Sequence, residues 1–551
     1  MNHRSRFLAI ALIAQLILNH FSFGFPPPEA PSLVVVISLD QFPYQYIPRF
    51  SSHFGAGGFR RLLENGANFT NASYKHGMNL TGPGHAVILS GAYGNANGII
   101  CNNWYDIDRH RGVYCVADST VSLVGVRGNG VSPANFIGST FGDELRLASG
   151  FRSKVISISN KDRAAILLGG KFANAAFWEQ DSLFVTSSYY APSLPAWAAQ
   201  FNDQGEFTRY FGKWWRQDLP ESAFNALDRD DAPYEADEDG FGKTFPHHIT
   251  GEDTTRITSS YYHALIRSPY GAKVLAEFAK AAVHGEQLGQ RGVTDLLCIS
   301  FSSTDYVGHA FGPHSREILE ITVAIDSILS DLLRYLDNVA GPGKYVVALT
   351  SDHGVAPIPE YIKAHVPRAD VGRISSDSVA AVERALTKTF GPPPGGRRWV
   401  EAVADRYLYL DQSTLIQKKL DAARVARVAA DVLVKVAPLT AAFTRAELQS
   451  PSPTSLLAQY SSRSYYPQRS GDILVVPKPF YFGGSEPTGT THGEPYDYSS
   501  HVPLLIMGPG IHPGAYTGES SPADLAPTLS VLFGVEFPAG REGRVLSEAL
   551  K

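Results

Sequence analysis

Short, unbroken apolar runs recur along the chain, each closed by a polar residue and followed by a Gly- or Pro-rich stretch and a helical pattern. Leu33–Leu39 ends at Asp40, Val155–Ser159 ends at Asn160-Lys161, Leu296–Phe301 leads to Asp305, and Tyr345–Leu349 leads to Asp352. Continuous rather than alternating runs predict strands buried on both faces, as in a parallel sheet. Pro503–Met507 reads as one more. Ile318, Ile321, Ile325, Ile328, Leu332 and Leu336 step by three or four, which predicts one face of a helix over Ser315–Asp337. Strand, helix, strand at this spacing is a βαβ unit. The expected fold class is therefore α/β, with a doubly wound, mostly parallel sheet. Ligands of such sheets sit beyond the carboxyl ends of the strands, which gathers the polar strand-end residues on one rim.

The pattern breaks between about Ala356 and Tyr481. Pro392–Gly396, a strand-like Arg406–Leu410, a long helical stretch near Ser413–Val436 and Pro451-Ser452-Pro453 predict an inserted α+β lobe over 356–481. Residues 25–355 and 482–551 would then form the catalytic domain. Residues 1–24 read as a signal peptide, with basic Arg4 and Arg6, an apolar core Phe7–Leu18, and small residues in Ser22-Phe23-Gly24. That core is 12 residues long, short of the ~20 a membrane helix needs. The expected location is periplasmic or secreted, without membrane attachment after cleavage.

Composition narrows the classes. Among 551 residues, 44% are hydrophobic and 18% charged, which excludes a disordered chain. A net charge of −5 leaves no basic footprint, so no nucleic acid is expected as a dedicated partner. Three cysteines exclude a disulfide scaffold. Cys101 and Cys115 are placed to bridge a short loop or to stay free, and Cys298 lies in a core run. The sequons at Asn68, Asn71 and Asn79 read as chance.

The strand ends collect Asp40, Asp305, His309, Asp352 and His353, joined by His492. Mixed Asp and neutral His donors suit zinc, whereas calcium or magnesium would be held mainly by oxygen. Singly, an Asp at a strand end is a helix cap and a His is structural; together on one rim they point to two metals. Thr81 opens a short helical run in Thr81-Gly82-Pro83-Gly84-His85. Its hydroxyl would meet the free N–H groups and dipole of a helix N-terminus. An ordinary helix cap explains a Thr there equally well, unless a metal lowers the hydroxyl pKa and makes it a nucleophile.

Ser38-Leu39-Asp40, the Thr81–His85 segment, Asp305-Tyr306-Val307-Gly308-His309, Asp352-His353-Gly354, Thr491-His492-Gly493 and Asp524–Leu529 together resemble the alkaline phosphatase superfamily. The resemblance is to its type I phosphodiesterase/nucleotide pyrophosphatase-like branch, and within it to bacterial periplasmic, phosphate-irrepressible alkaline phosphatases with a threonine nucleophile. It implies an alkaline phosphatase-like fold and two Zn2+ per chain. One zinc would be held by Asp305, His309 and His492, the other by Asp40, Thr81, Asp352 and His353. It further implies that Asn102, or its neighbour Asn103, contacts the phosphoryl group. Lys161 and Arg163 match the Lys-x-Arg pair of the monoesterases, which the diesterases lack. Phosphate monoesters would be hydrolysed through a phosphothreonine on Thr81, by a chain that, like family members, is expected to be a monomer. A phosphodiesterase or nucleotide pyrophosphatase on the same scaffold is the runner-up. Nothing at Thr81 has the C/S-x-P-x-R form a sulfatase needs, and Gly169-Gly170-Lys171 lacks the upstream Gly of a P-loop.

Overall fold

Leu33–Leu39 forms β1, every residue of it buried. The computed structural model describes residues 31–375, 377–450, 452–453, 455–483 and 487–551, so the expected signal peptide lies outside the described residues. Thr81–Ser90 forms α1, Val155–Ser159 β2, Asp162–Gly169 α2, Asp295–Phe301 β3, Ser303–Phe311 α3, Arg316–Val339 α4, Tyr345–Thr350 β4 and Leu504–Met507 β5. β1 to β4 pair in parallel in the spatial order β4-β1-β3-β2 at the centre of a 10-stranded sheet. All four are buried throughout, as strands covered on both faces must be.

Alternate residues of β1 feed different layers. Val35 and Ile37 pack with Ile318, Ile321, Ile325, Leu332 and Leu336 of α4, while Val34 and Val36 pack with Ile88 and Leu89 of α1 and with Leu525 and Leu529. Ser315 starts α4 by accepting a hydrogen bond from the Ile318 amide at 3.2 Å, a cap that ends the preceding loop where the apolar stripe begins.

The run at Pro503–Met507 is a strand, but β5 is antiparallel to both β4 and Gly66–Phe69. An unbroken apolar run records burial on two faces and carries no information on strand direction; antiparallel strands beside a parallel centre are common. The long helical stretch expected near Ser413–Val436 is two helices, Gln412–Gln417 and Ala422–Val436, the second capped by Asp421 on the Ala423 amide. Around them, Val400–Ala404, Tyr407–Leu410, Ile473–Pro477 and Leu439–Thr444 form a four-stranded antiparallel sheet with its own core at Trp399, Val425 and Leu433.

All three cysteines are free and buried. Cys101 donates to the Asn103 carbonyl, and burial pushes the Cys115 thiol up to about 12. Asn79 is fully buried and donates its side-chain amide to the Glu494 carbonyl at 2.7 Å, which leaves no room for a glycan.

Glu179, in the strand Ala175–Gln180, has one hydrogen-bond donor, the Asn160 amide at 2.7 Å, and burial pushes its carboxyl up to about 8. Because its unfolded value is ~4.3, the folded state keeps a proton that the unfolded chain has released between those values. The stabilisation is full below ~4.3 and is lost as pH rises through 8. Glu179→Gln should therefore exceed the parent in denaturant melts by about 4 kcal/mol more at pH 9 than at pH 5. Identical pH dependence for the two proteins would show that Glu179 titrates normally.

Candidate active site

Ser38, Thr350, Ser300 and Ser159 stand side by side in the register of the four parallel strands. The residues that follow therefore leave the sheet at one level. β1 delivers Asp40 and β4 delivers Asp352 and His353. β3 passes into α3, with Asp305 in its first turn and His309 in its last. β2 delivers Lys161 and Arg163 at the start of α2. His492 comes from a loop, tied by its Nδ1 to the Asn79 carbonyl at 2.8 Å.

Two groups of three donors have ligand atoms within 4.8 Å of one another: Asp305, His353 and His492, and Asp40, Asp352 and His353. His353 Nε2 stands between the groups, 3.5 Å from Asp40 and 3.3 Å from Asp352. His309 Nε2 is 3.2 Å from Asp305 Oδ1, and His492 Nε2 is 3.8 Å from the same oxygen. The six Asp and His donors of the expected set thus converge, with His353 shared where the resemblance assigns His309 to the Asp305 group.

The donors fit zinc. His309, His353 and His492 each place Nδ1 on a backbone carbonyl, of Thr490, Gly354 and Asn79 respectively, at 2.8–3.0 Å. That fixes tautomer and ring, and leaves Nε2 for a metal. Asp40 Oδ1, Asp352 Oδ2 and His353 Nε2 are buried without a hydrogen bond. Such orphaned groups are costly unless a ligand takes them. Lys161 Nζ lies 2.7 Å from Asp40 Oδ2 and 2.5 Å from Asp305 Oδ2, one ammonium between two carboxylates.

Burial and the charges of Asp305 and Asp352 push Asp40 up to about 7. Burial acts the same way on Asp305 and Asp352. There it is outweighed, by Lys161 and His309 for the first and by His353 and His85 for the second, so both stay below the usual carboxylate range. Burial holds His353 and His492 below the ordinary imidazole value, in the neutral form that ligates.

Thr81 is the first residue of α1, and Leu80 occupies the cap position without a side-chain capping bond. The cap explanation for Thr81 therefore fails: its hydroxyl is 1% exposed as a residue and satisfies no helix amide. Arg163 Nη2 reaches Thr81 Oγ1 at 3.4 Å, and Asn102 Oδ1 accepts from the Gly82 amide at 2.8 Å. Asn103 is exposed and turned to Asp405 through its amide, so of the two asparagines it is Asn102 that borders Thr81. A cleft of about 960 Å³ opens over the rim, lined by Lys161, Arg163, Tyr306 and His309 among others.

Four positioning residues escape sequence reading. Gln41, in the left-handed region at φ 60°, donates Nε2 to Asp305 Oδ1 at 2.7 Å and its amide to Asp352 Oδ1 at 3.2 Å. Gly308 makes room for it, since a Cβ there would lie 1.8 Å from Gln41 Oε1. His85 bridges the Thr81 carbonyl and Ser300 Oγ, both at 2.8 Å, with Asp352 Oδ2 3.2 Å away. Tyr114 OH meets Arg163 Nη1 at 3.4 Å and donates to Asp162. Arg406, just before the strand Tyr407–Leu410, donates to the Gly77 and Gly493 carbonyls, so it holds the stretches carrying Asn79 and His492. Only His85 lies inside a motif; the others have no local signal because their partners are distant in sequence.

Residues 34–498 match the family described as type I phosphodiesterase/nucleotide pyrophosphatase. The chain is 35% identical to alkaline phosphatase PhoV of Synechococcus elongatus over 534 residues, covering 96% of this chain and 94% of that one. It is 33% identical to alkaline phosphatase PafA of Elizabethkingia meningoseptica over 531 residues, 94% of each chain. The crystal structure of wild-type PafA superposes with a TM-score of 0.89 at 32% identity, covering 96% of this chain and all of that one.

Proposed function

The chain belongs to the type I phosphodiesterase/nucleotide pyrophosphatase family of the alkaline phosphatase superfamily, and on that premise we propose that it is an alkaline phosphatase hydrolysing phosphate monoesters through a phosphothreonine on Thr81. The site would hold two zinc ions, with Asp40, Asp305, His309, Asp352, His353 and His492 as ligands and Thr81 beside them. Bound zinc would lower the pKa of the Thr81 hydroxyl and of water, and take up charge on the leaving oxygen.

The chain's own groups do the rest. Thr81 Oγ1 forms the bond to phosphorus as its proton leaves, and the ester oxygen departs on the opposite side. The N-terminal end of α1, with its dipole, would lie against the phosphoryl oxygens. Asn102 and Arg163 border the same space, Arg163 offering two parallel donors and Lys161 a point charge. Water then cleaves the phosphothreonine and restores the hydroxyl.

The carrying observation is that Lys161 and Arg163 share the rim with a Thr81 hydroxyl free of capping duty. A monoester dianion has a third charged oxygen that this pair can meet; a diester does not. The names of the relatives, alkaline phosphatases PhoV and PafA, support the same reading, and the proposal includes release to the periplasm or medium. No helix among the described residues is long and apolar enough to cross a membrane. The test compares kcat/KM on p-nitrophenyl phosphate and bis-p-nitrophenyl phosphate with zinc quantified. A monoester preference of at least ~100-fold with about two zinc ions per chain is expected. A diester preference would transfer the assignment to the phosphodiesterase reading.

A further inference from the structure

Three loops meet at the end of the sheet opposite the catalytic rim. Ser149–Lys154 runs from the helix Phe141–Ala148 into the amino end of β2. Gly170–Asn174 runs from α2 into the amino end of the strand Ala175–Gln180, which is parallel to β2. Tyr189 follows Leu183–Ser187, which returns antiparallel to that strand. β2 has 5 residues, so at ~3.3 Å per residue these loops stand roughly 16 Å or more from the rim.

The loops expose a connected set of large apolar side chains. Leu147 is 47% exposed, Phe151 51%, Phe172 39% and Tyr189 40%. The Phe151 and Phe172 rings meet edge to face at 5.7 Å, and Tyr189 donates its hydroxyl to the Lys171 carbonyl at 3.2 Å. Apolar residues scattered singly are ordinary on a surface, whereas a contiguous set marks a contact site. Phe151 sits at φ 63°, in the left-handed region, with its amide on the Arg146 carbonyl at 2.7 Å. That conformation is unfavourable for a bulky residue, and here it gains no burial in return.

The free charges beside the rings are positive. The Arg146 guanidinium lies over the Phe151 ring at 5.1 Å, Arg152 follows Phe151 and Lys171 precedes Phe172. Among the described residues none of these three cations makes an ion pair. Asp143 lies beneath Lys171 and Phe172, but it is fully buried and its oxygens accept from the Phe172 and Thr140 amides. Asp118 and Glu144 are half-buried; Asp118 accepts from Ser132 and Thr120, and Glu144 from Ser139. Glu286 pairs with Lys154 at 2.6 Å, and Asp295 pairs with Arg291.

We propose that this pole is a docking surface for an anionic membrane, with Leu147, Phe151, Phe172 and Tyr189 in the headgroup layer and Arg146, Arg152 and Lys171 on lipid phosphates. Charge selects this occupant. A second copy docked face to face would set the same unpaired cations against one another. Four part-exposed side chains also fall well short of the ~800 Å² that each partner gives to a stable protein interface. A bilayer asks less: shallow burial of a few rings together with electrostatic attraction. The contact is peripheral and reversible, in place of the expected lack of membrane attachment, and it leaves the catalytic cleft facing away from the lipid.

The test reads lipid binding rather than phosphatase activity, so it stands or falls apart from the assigned reaction. Zinc-loaded protein is sedimented with vesicles of phosphatidylcholine alone or mixed with an equal part of phosphatidylglycerol. The bound fraction should be at least about tenfold higher on the anionic vesicles at low salt. It should fall away at ~1 M salt, where the Debye length is ~3 Å. Phe151→Ser with Phe172→Ser, and separately Arg152→Glu with Lys171→Glu, should each cut binding at least about tenfold. Far-UV circular dichroism and zinc content should stay those of the parent, which reports that the variants fold. Should one pair not fold, the other pair and the lipid dependence of the parent decide. No binding to anionic vesicles, equal binding to both lipids, or parent-like binding by the folded variants overturns the proposal. Self-association of the parent that the Phe151→Ser, Phe172→Ser pair abolishes overturns it too, and makes the face a contact between copies.

Discussion

Thr81→Ala should lower monoester turnover by at least about 10³-fold and abolish the burst of covalent phosphoenzyme, because the oxygen that would attack phosphorus is removed. The structure makes this substitution a clean one. Leu80 occupies the cap position and Thr81 Oγ1 satisfies no amide of α1, so the helix does not lose a cap worth ~1 kcal/mol. His309, His353 and His492 are oriented by the Thr490, Gly354 and Asn79 carbonyls rather than by Thr81, so zinc content should persist. Thr81→Ser keeps the oxygen and should retain substantial turnover. Rapid-quench detection of a phosphoenzyme in Thr81→Ala would move the nucleophile elsewhere on the rim.

The central sheet was legible because its strands are buried on both faces, and burial writes an unbroken apolar run. The same signal is silent on direction, which is why β5 was located but its antiparallel pairing was not. The helical stretch near Ser413–Val436 failed differently. Lys418–Asp421 interrupts the pattern with charges that read as an exposed helix face, whereas Asp421 starts a new helix. At the site, the convergence of Asp40, Asp305, Asp352 and His353 was readable because parallel register forces strand ends onto one rim. Gln41, Tyr114 and Arg406 act through contacts that span from 48 to 329 residues of chain, and nothing local marks them. Gly308 is the nearest thing to a trace of Gln41, since only a residue without a side chain tolerates that contact.

Replacing both Lys161 and Arg163 with Ala should depress monoester turnover by at least ~100-fold, and diester turnover far less. A lost charge-assisted hydrogen bond costs ~1.5–3 kcal/mol, and each 1.36 kcal/mol is about tenfold in rate. Two bonds to an oxygen that only the monoester carries therefore remove most of its advantage. Lys161 has a competing role, since its ammonium lies between the Asp40 and Asp305 carboxylates and could serve mainly to neutralise them. Arg163 separates the two, because it contacts Thr81 and Tyr114 and neither carboxylate. If the pair recognises the phosphoryl group, Arg163→Ala alone should carry a large share of the monoester loss, with zinc content unchanged. If Lys161 serves the carboxylates, Lys161→Ala should alter zinc affinity and slow both substrates alike. Equal losses on monoester and diester in the double variant, with zinc retained, would remove the ground for preferring a monoesterase to a diesterase on this scaffold.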